Sequence, residues 1–309
     1  MIKAYQAILV LILGPLLLSS CLSTADRMGG EEYYELGSAY YELGKFSEAE
    51  RWFLKAKSLD KTRLASEYQL GRIAFETGKT EAAALIFESL LQKDPENILA
   101  LKGAAFSRLK MGDFDAAYKH YKKVALLLPE SLDSSYNYAL VLHALNKDDS
   151  AIEILKPLIK IKGPDKESLL LLARSQRALD YPEALDSYEQ ALVLGEDMPL
   201  RREYASLCEK LEFYARAAEN YRLIIQAGTG GTARAADQFA LSRVLLIAGE
   251  EDGLTQLQAA LEQGFKDRVA LDALLSDERI MNREELTQLI EEMREKSKSE
   301  NEGNISDGI

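Results

Sequence analysis

The chain repeats itself every 34 residues. Gly37, Gly71, Ala105, Ala139 and Ala173 stand in one register, preceded by Leu36, Leu70, Ala104, Tyr138 and Leu172. Seven positions further on come Gly44, Gly78, Gly112, Asn146 and Asp180, all turn formers. Ala49, Ala83, Ala117 and Ala151 follow in step, with Ala184 one residue early. Periods of about 20–50 residues mark stacked supersecondary units, none of which can bury its apolar face alone. Binding is therefore the leading function class, with no partner named by the repeat itself.

One unit, Gly30 to Arg63, predicts a helical hairpin. Residues 31–43 place Tyr33, Leu36, Tyr40 and Leu43 at helical spacing. Gly44-Lys45 breaks the pattern as a left-handed turn would. Ser47 to Leu59 is helical again, with Ala49, Trp52, Phe53 and Ala56 expected inward. Small residues such as Gly37 and Ala49 let two helices approach, and Phe53, Phe87, Tyr121 and Leu155 are large enough to fill the gap to the next unit. Pro95 and Pro129 stand where second helices must stop, Pro164 one residue late.

These positions resemble the tetratricopeptide repeat family. The first unit supplies Tyr33, Leu36-Gly37, Tyr40, Gly44, Ala49, Phe53 and Ala56; the second supplies Leu70-Gly71, Gly78, Ala83, Phe87 and Pro95, with Ala74 in place of the tyrosine. The resemblance runs over residues 30–263 and is tightest in the first four units. The fifth is shortened at Tyr181-Pro182; the sixth keeps Tyr204-Ala205, Tyr214, Ala217 and Tyr221; the seventh keeps Leu241, Leu245, Gly249, Leu254 and Leu261. The resemblance implies an all-α fold: a right-handed α-solenoid of about seven hairpins with a C-terminal capping helix pair. Residues 264–296 form that cap, with Glu284, Glu285, Glu291, Glu292 and Glu295 on a polar outer face. Residues 297–309 read as a polar, disordered tail.

Residues 1–20 are of another kind. Lys3 precedes an apolar run, Ala4 to Leu18, interrupted by Gly14-Pro15 and shorter than the ~20 residues that span a bilayer. That is the size of a signal-peptide core. It ends Leu18-Ser19-Ser20-Cys21, which resembles the bacterial lipobox, where the thiol takes a diacylglycerol and small residues precede the cleavage site. The resemblance implies a lipid on Cys21, a tether over residues 21–29 and membrane anchoring through acyl chains. It places the body in the cell envelope, facing the periplasm or the exterior. Leu22, rather than Asp, after the cysteine favours the outer over the inner membrane.

The formal net charge of −12 argues against nucleic acid as a partner. With Cys21 lipidated, Cys208 alone cannot form an intramolecular disulfide and reads as a buried, inert thiol. His120 and His143 have no His or Cys at zinc spacing, and His120 is expected in solvent. Gly228-Thr229-Gly230-Gly231 lacks the Gly-Lys-Ser/Thr ending of a phosphate loop and reads as a connection between repeats. No catalytic set and no cofactor is expected.

In stacked tetratricopeptide repeats the first helices line the concave surface. The register assigns Tyr34, Ser38 and Tyr41, then Tyr68, Arg72 and Phe75, then Lys102, Phe106 and Leu109 to it. Tyr136, Leu140 and His143 follow, and then Arg174, Arg177 and Arg202. Six aromatics with several cations predict a trough for a partner peptide or helix bearing apolar and some acidic groups. The set that clamps a chaperone C-terminal carboxylate is missing, since Tyr34, Ser38, Gln69, Leu99 and Gly103 occupy its positions. Two function classes result: an envelope lipoprotein that serves as a noncatalytic assembly scaffold, or an accessory subunit of a solute transporter working with a substrate-binding protein. An outer surface or a homo-oligomer contact is the alternative to the trough.

Overall fold

The computed structural model describes residues 29–228 and 231–306. The leader, Cys21 with residues 22–28 of the tether, Thr229-Gly230 and the last three residues lie outside the described residues. Among the described residues there are sixteen α-helices and no strand. They are α1 (Gly30–Glu42), α2 (Phe46–Lys57), α3 (Arg63–Glu76), α4 (Thr80–Lys93), α5 (Ile98–Lys110), α6 (Phe114–Leu127), α7 (Leu132–Ala144) and α8 (Asp148–Lys162). Then come α9 (Lys166–Ala178), α10 (Ala184–Leu194), α11 (Met198–Lys210), α12 (Tyr214–Gln226), α13 (Gly231–Ala248), α14 (Gly253–Glu262), α15 (Arg268–Ser276) and α16 (Arg283–Ser306). The fold is of the all-α repeat class expected. Two compact units divide the chain, one ending at Ile154 and the other beginning at Leu155, within α8. Among the described residues no helix is long and apolar enough to cross a membrane.

Each hairpin turns in the same way. Lys45 N–H donates to the Tyr40 carbonyl, Lys79 to Ala74, Asp113 to Arg108 and Lys147 to Leu142, at 2.8–3.0 Å. Tyr181, Phe213, Glu250 and Phe265 repeat the bond in the second unit. This long-range C-terminal cap needs one left-handed residue. Gly44, Gly78 and Gly112 supply it at φ +68, +79 and +75, and Asn146 and Asp180 at +55 and +58. All five are the turn residues that the register singles out. The sixth turn is different: Glu212 stands there at φ +64. The left-handed conformation costs an L-residue about 1–2 kcal/mol, and glutamate has no compensating local hydrogen bond to make. Glu212→Gly should therefore stabilise the second unit by about 0.5–1 kcal/mol after the entropy of the added glycine is subtracted, and so raise its thermal midpoint. A lowered midpoint in calorimetry would contradict the strain argument.

Packing follows an alternation of small and large residues. In the first unit the Phe53 ring, fully buried, joins Ala49 and Ile73. A Cβ on Gly37 would come within 2.9 Å of that ring, so only glycine permits the approach. Phe87 joins Ala74, Ala83, Ala100 and Ala104, and Tyr121 joins Ala105, Ala117 and Val141. Each large ring thus spans its own hairpin and the next. In the second unit Tyr188, Tyr204, Cys208 and Tyr221 share one core. Burial pushes the Cys208 thiol up to about 11, which keeps it protonated and inert. Beyond it, Leu257, Leu271, Leu274, Leu286 and Ile290 make a second core under α15 and α16, where the Phe239 and Phe265 rings stack at 4.1 Å. The cap glutamates from Glu284 to Glu295 lie on the exposed side of α16, as a terminal repeat requires. That helix continues past the expected end at Lys296 to Ser306, although Ser297, Ser299, Asn301, Gly303 and Asn304 are weak helix formers.

Three expectations are corrected. Leu43 is 70% exposed, because α1 has ended and the side chain projects past the last turn. Trp52 is half-buried rather than inward; it stacks on Tyr33 at 5.9 Å under the Lys55 ammonium. His120 is half-buried, with Nε2 3.7 Å from Glu88 Oε1, and burial holds its pKa below the ordinary histidine value.

Candidate functional site

First helices present the assigned residues at recurring positions, and every one of the fifteen is half-buried. Tyr34, Tyr41, Tyr68, Arg72, Phe75, Lys102, Phe106, Tyr136 and His143 belong to the first unit, and Arg174, Arg177 and Arg202 to the second. Their surroundings differ between the two.

In the first unit the aromatics rest on the inter-repeat core. Tyr34 meets Phe53 edge-on at 5.4 Å and Tyr68 leans on Phe87 at 5.6 Å. One side of each ring is thereby core and the other faces out. A polar strip ties the first two hairpins together. Gln69 Nε2 donates to the Tyr34 hydroxyl at 2.9 Å, and Arg72 Nη1 donates to Gln69 Oε1 at 3.1 Å. The Arg72 guanidinium then lies over the Tyr41 ring at 4.4 Å. Burial raises the pKa of the Tyr41 and Tyr68 phenols, with Arg72 opposing it, so both remain neutral donors. Phe75 packs on Phe106 at 5.1 Å, and Lys110 sits over Phe106. Lys102 donates to Ser131 Oγ at 3.2 Å, and His143 Nδ1 lies 2.5 Å from Asp148 Oδ1. Tyr136 is half-buried on α7.

Between α1, α3, α4 and α5 the surface opens into a recess of about 240 Å³. Tyr34 and Tyr68 form part of its wall, with Leu64, Leu90 and Leu99. Gln69, Asp94 and Asn97 supply its polar groups. Of these residues only the two tyrosines were assigned from sequence. Gln69 carries a signal in the register, since it lies 35 residues after Tyr34 on the adjoining first helix. Leu90 and Asp94 come from the end of a second helix and lie outside any first-helix pattern.

In the second unit the cations are held internally. Arg174 forks onto Glu203 through Nε at 2.9 Å and Nη2 at 2.5 Å, and Arg177 reaches the same carboxylate at 3.9 Å. Burial would raise the Glu203 carboxyl, but Arg174, the Tyr188 hydroxyl and Arg177 together hold it below the usual range. Arg202 forks onto Asp237 at 2.6 and 2.8 Å, which raises its own pKa. Arg243, absent from the assigned set, forks back onto Glu209. These are clamps from one repeat to the next. The expectation that Arg174 and Arg202 await an acidic partner is replaced by carboxylates supplied one repeat away. Among the described residues no cluster of His, Cys, Asp and Glu is arranged to hold a metal ion.

A tetratricopeptide model matches residues 30–63, a second matches 65–97 and 167–193, and a third matches 108–175. No curated protein sequence matches the chain. Among solved structures, a tetratricopeptide repeat protein from Parabacteroides merdae superposes with a TM-score of 0.54 at 19% identity, covering 79% of this chain and 97% of its own. The pilF protein of Pseudomonas aeruginosa gives 0.51 at 19% identity, over 68% of this chain and 95% of its own. MamA of Desulfovibrio magneticus RS-1 gives 0.50 at 16% identity, over 53% of this chain and 93% of its own. At these identities the likeness speaks for the fold, one that generally scaffolds protein–protein contacts without catalysis. The matches between residues 30 and 193, the recurring left-handed turns and the ring-filled gaps between hairpins together show repeats of the tetratricopeptide kind in this chain.

Proposed function

We propose that the chain is a membrane-anchored, noncatalytic scaffold of the bacterial cell envelope that binds a peptide or helix along the first-helix face of its N-terminal repeats. The observation that carries the reading is the run of half-buried aromatics on α1, α3 and α5, locked by the Tyr34–Gln69–Arg72–Tyr41 strip before any partner arrives. A preformed surface loses little entropy on binding. Photocrosslinking side chains placed at Tyr68, Phe106 and Tyr136 in cells should each capture the same partner protein by mass spectrometry. Residues on the opposite helices, such as Leu85, should not capture it. Capture only from Leu85 would move the site to the outer surface.

Anchoring rests on the Leu18-Ser19-Ser20-Cys21 run behind a signal-sized apolar segment. Cys21→Ala should abolish incorporation of labelled acyl chains and release the protein from membranes; unchanged labelling would rule the anchor out. Leu22 after the cysteine favours the outer membrane as destination. The solute-transporter reading ranks second. Small-molecule sites start near ~300 Å³, above the 240 Å³ recess of the first unit.

A further inference from the structure

We propose that the recess between α1, α3, α4 and α5 anchors one large apolar side chain of a partner peptide that carries a lysine or arginine beside it. The inference rests on the groove reading above and adds the chemistry of the partner. Its first support is apolar surface left facing water. Leu64 is 49% and Leu99 56% exposed at the mouth, above walls made by the Tyr34 and Tyr68 rings. Exposed apolar surface of this kind marks interaction sites when contiguous. The space suits a side chain rather than a cofactor, and its walls are set in advance by the Gln69 bond to Tyr34 and the Phe87 ring behind Tyr68.

Charge decides the rest. Three carboxylates of these hairpins have cations of their own: Glu31 has Lys61, Glu67 has Lys57 and Lys93, and Glu88 has Arg108. Asp94 does not. Among the described residues its carboxylate accepts only the Glu96 N–H at 3.2 Å and Asn97 Nδ2 at 3.4 Å, and makes no ion pair. The nearby groove cations Arg72 and Lys102 rest on neutral partners, Gln69 with Tyr41 and Ser131, and neither lines the recess, where Asp94 is the one charged side chain among the described residues. A basic group next to the anchoring side chain therefore gains a carboxylate, whereas an acidic one meets repulsion. The net charge of −12 steers approach in the same sense. This reverses the partly acidic partner that the sequence implied.

The test selects a displayed library of short random peptides on the full-length chain, with removal of peptides that also bind Leu99→Glu. Leu99 is exposed enough for that variant to fold, which circular dichroism checks. Survivors should share a large apolar residue with lysine or arginine close by. Asp94→Asn, which keeps an acceptor for the Glu96 N–H, should weaken a selected peptide about tenfold and flatten its salt dependence. Replacing the peptide's base by glutamine should have no further effect on the Asn variant. Survivors without a base, affinity unchanged in Asp94→Asn, or an empty selection would each overturn the proposal. So would conversion of a dimer to monomer by Leu99→Glu in sedimentation, since a second copy would then be the occupant. If the recess fails these tests while crosslinks from Phe106 and Tyr136 capture one partner, the groove reading stands; if no groove position captures a protein, that reading fails independently.

Discussion

Phe87→Ala should destabilise the first unit by about 3–5 kcal/mol in chemical denaturation, the range for a buried aromatic truncated to alanine. The ring is 3% exposed and spans two hairpins. A Cβ on Gly71 of its own repeat, or on Gly103 of the next, would come within 2.8 Å of it. Its other neighbours include Ala74, Ala83, Ala100 and Ala104, which have no side-chain length with which to collapse into the space. Leu90, Ile86 and Tyr68 also pack there and can relax into part of the space, so the cost falls within that range. Because repeat stability is held by contacts between neighbours, the loss should uncouple the second hairpin from the third. Hydrogen exchange should rise in α3, α4 and α5 together. Tyr68 rests on the same ring, so the variant should also lose partner capture. Leu85→Ala on the same helix, at a side chain 57% exposed, should change stability by less than about 0.5 kcal/mol. A cost below about 1.5 kcal/mol for Phe87→Ala would mean that the repeats are not locked through this ring.

Arg202→Met should destabilise the second unit by about 3 kcal/mol rather than weaken binding. Its guanidinium holds Asp237, whose side chain is 6% exposed, and deletion of one partner leaves the other charge in a poorly solvated place. The lower end of the usual penalty is expected because 33% of the Arg202 side chain meets water. Arg202→Met combined with Asp237→Leu should recover most of the loss, since apolar groups of similar volume replace a buried ion pair at little cost. The double-mutant cycle separates a repeat clamp from a ligand cation. If the single variant is as stable as the wild type and fails to capture partner, Arg202 belongs to the binding surface after all.

The misreadings share one physical cause. Local chemistry repeats with the chain: a left-handed residue at each turn, a small residue where helices touch and a ring where repeats meet are each visible within one unit. Gly44 to Asp180 and Phe53 to Tyr121 were legible for that reason. Glu212 was not, because the sixth turn takes its shape from the hydrogen bond between Phe213 and Cys208 despite an unfavourable residue. Leu43 and His120 look right by periodicity, but a helix end and a neighbouring carboxylate, neither of them periodic, decide their exposure. Asp94 makes no ion pair among the described residues, which no spacing reveals.

By itself, then, the sequence determined the repeat length, the hairpins, their turns and the ring-filled interfaces, because each depends on residues within one 34-residue unit or its direct copy. Only the tertiary structure decided which polar side chains are already satisfied. Arg174 and Arg202 find their carboxylates 29 and 35 residues away. Long, flexible side chains choose such partners by proximity in the folded stack. The register that placed those arginines on a binding face could not show that their forks were filled.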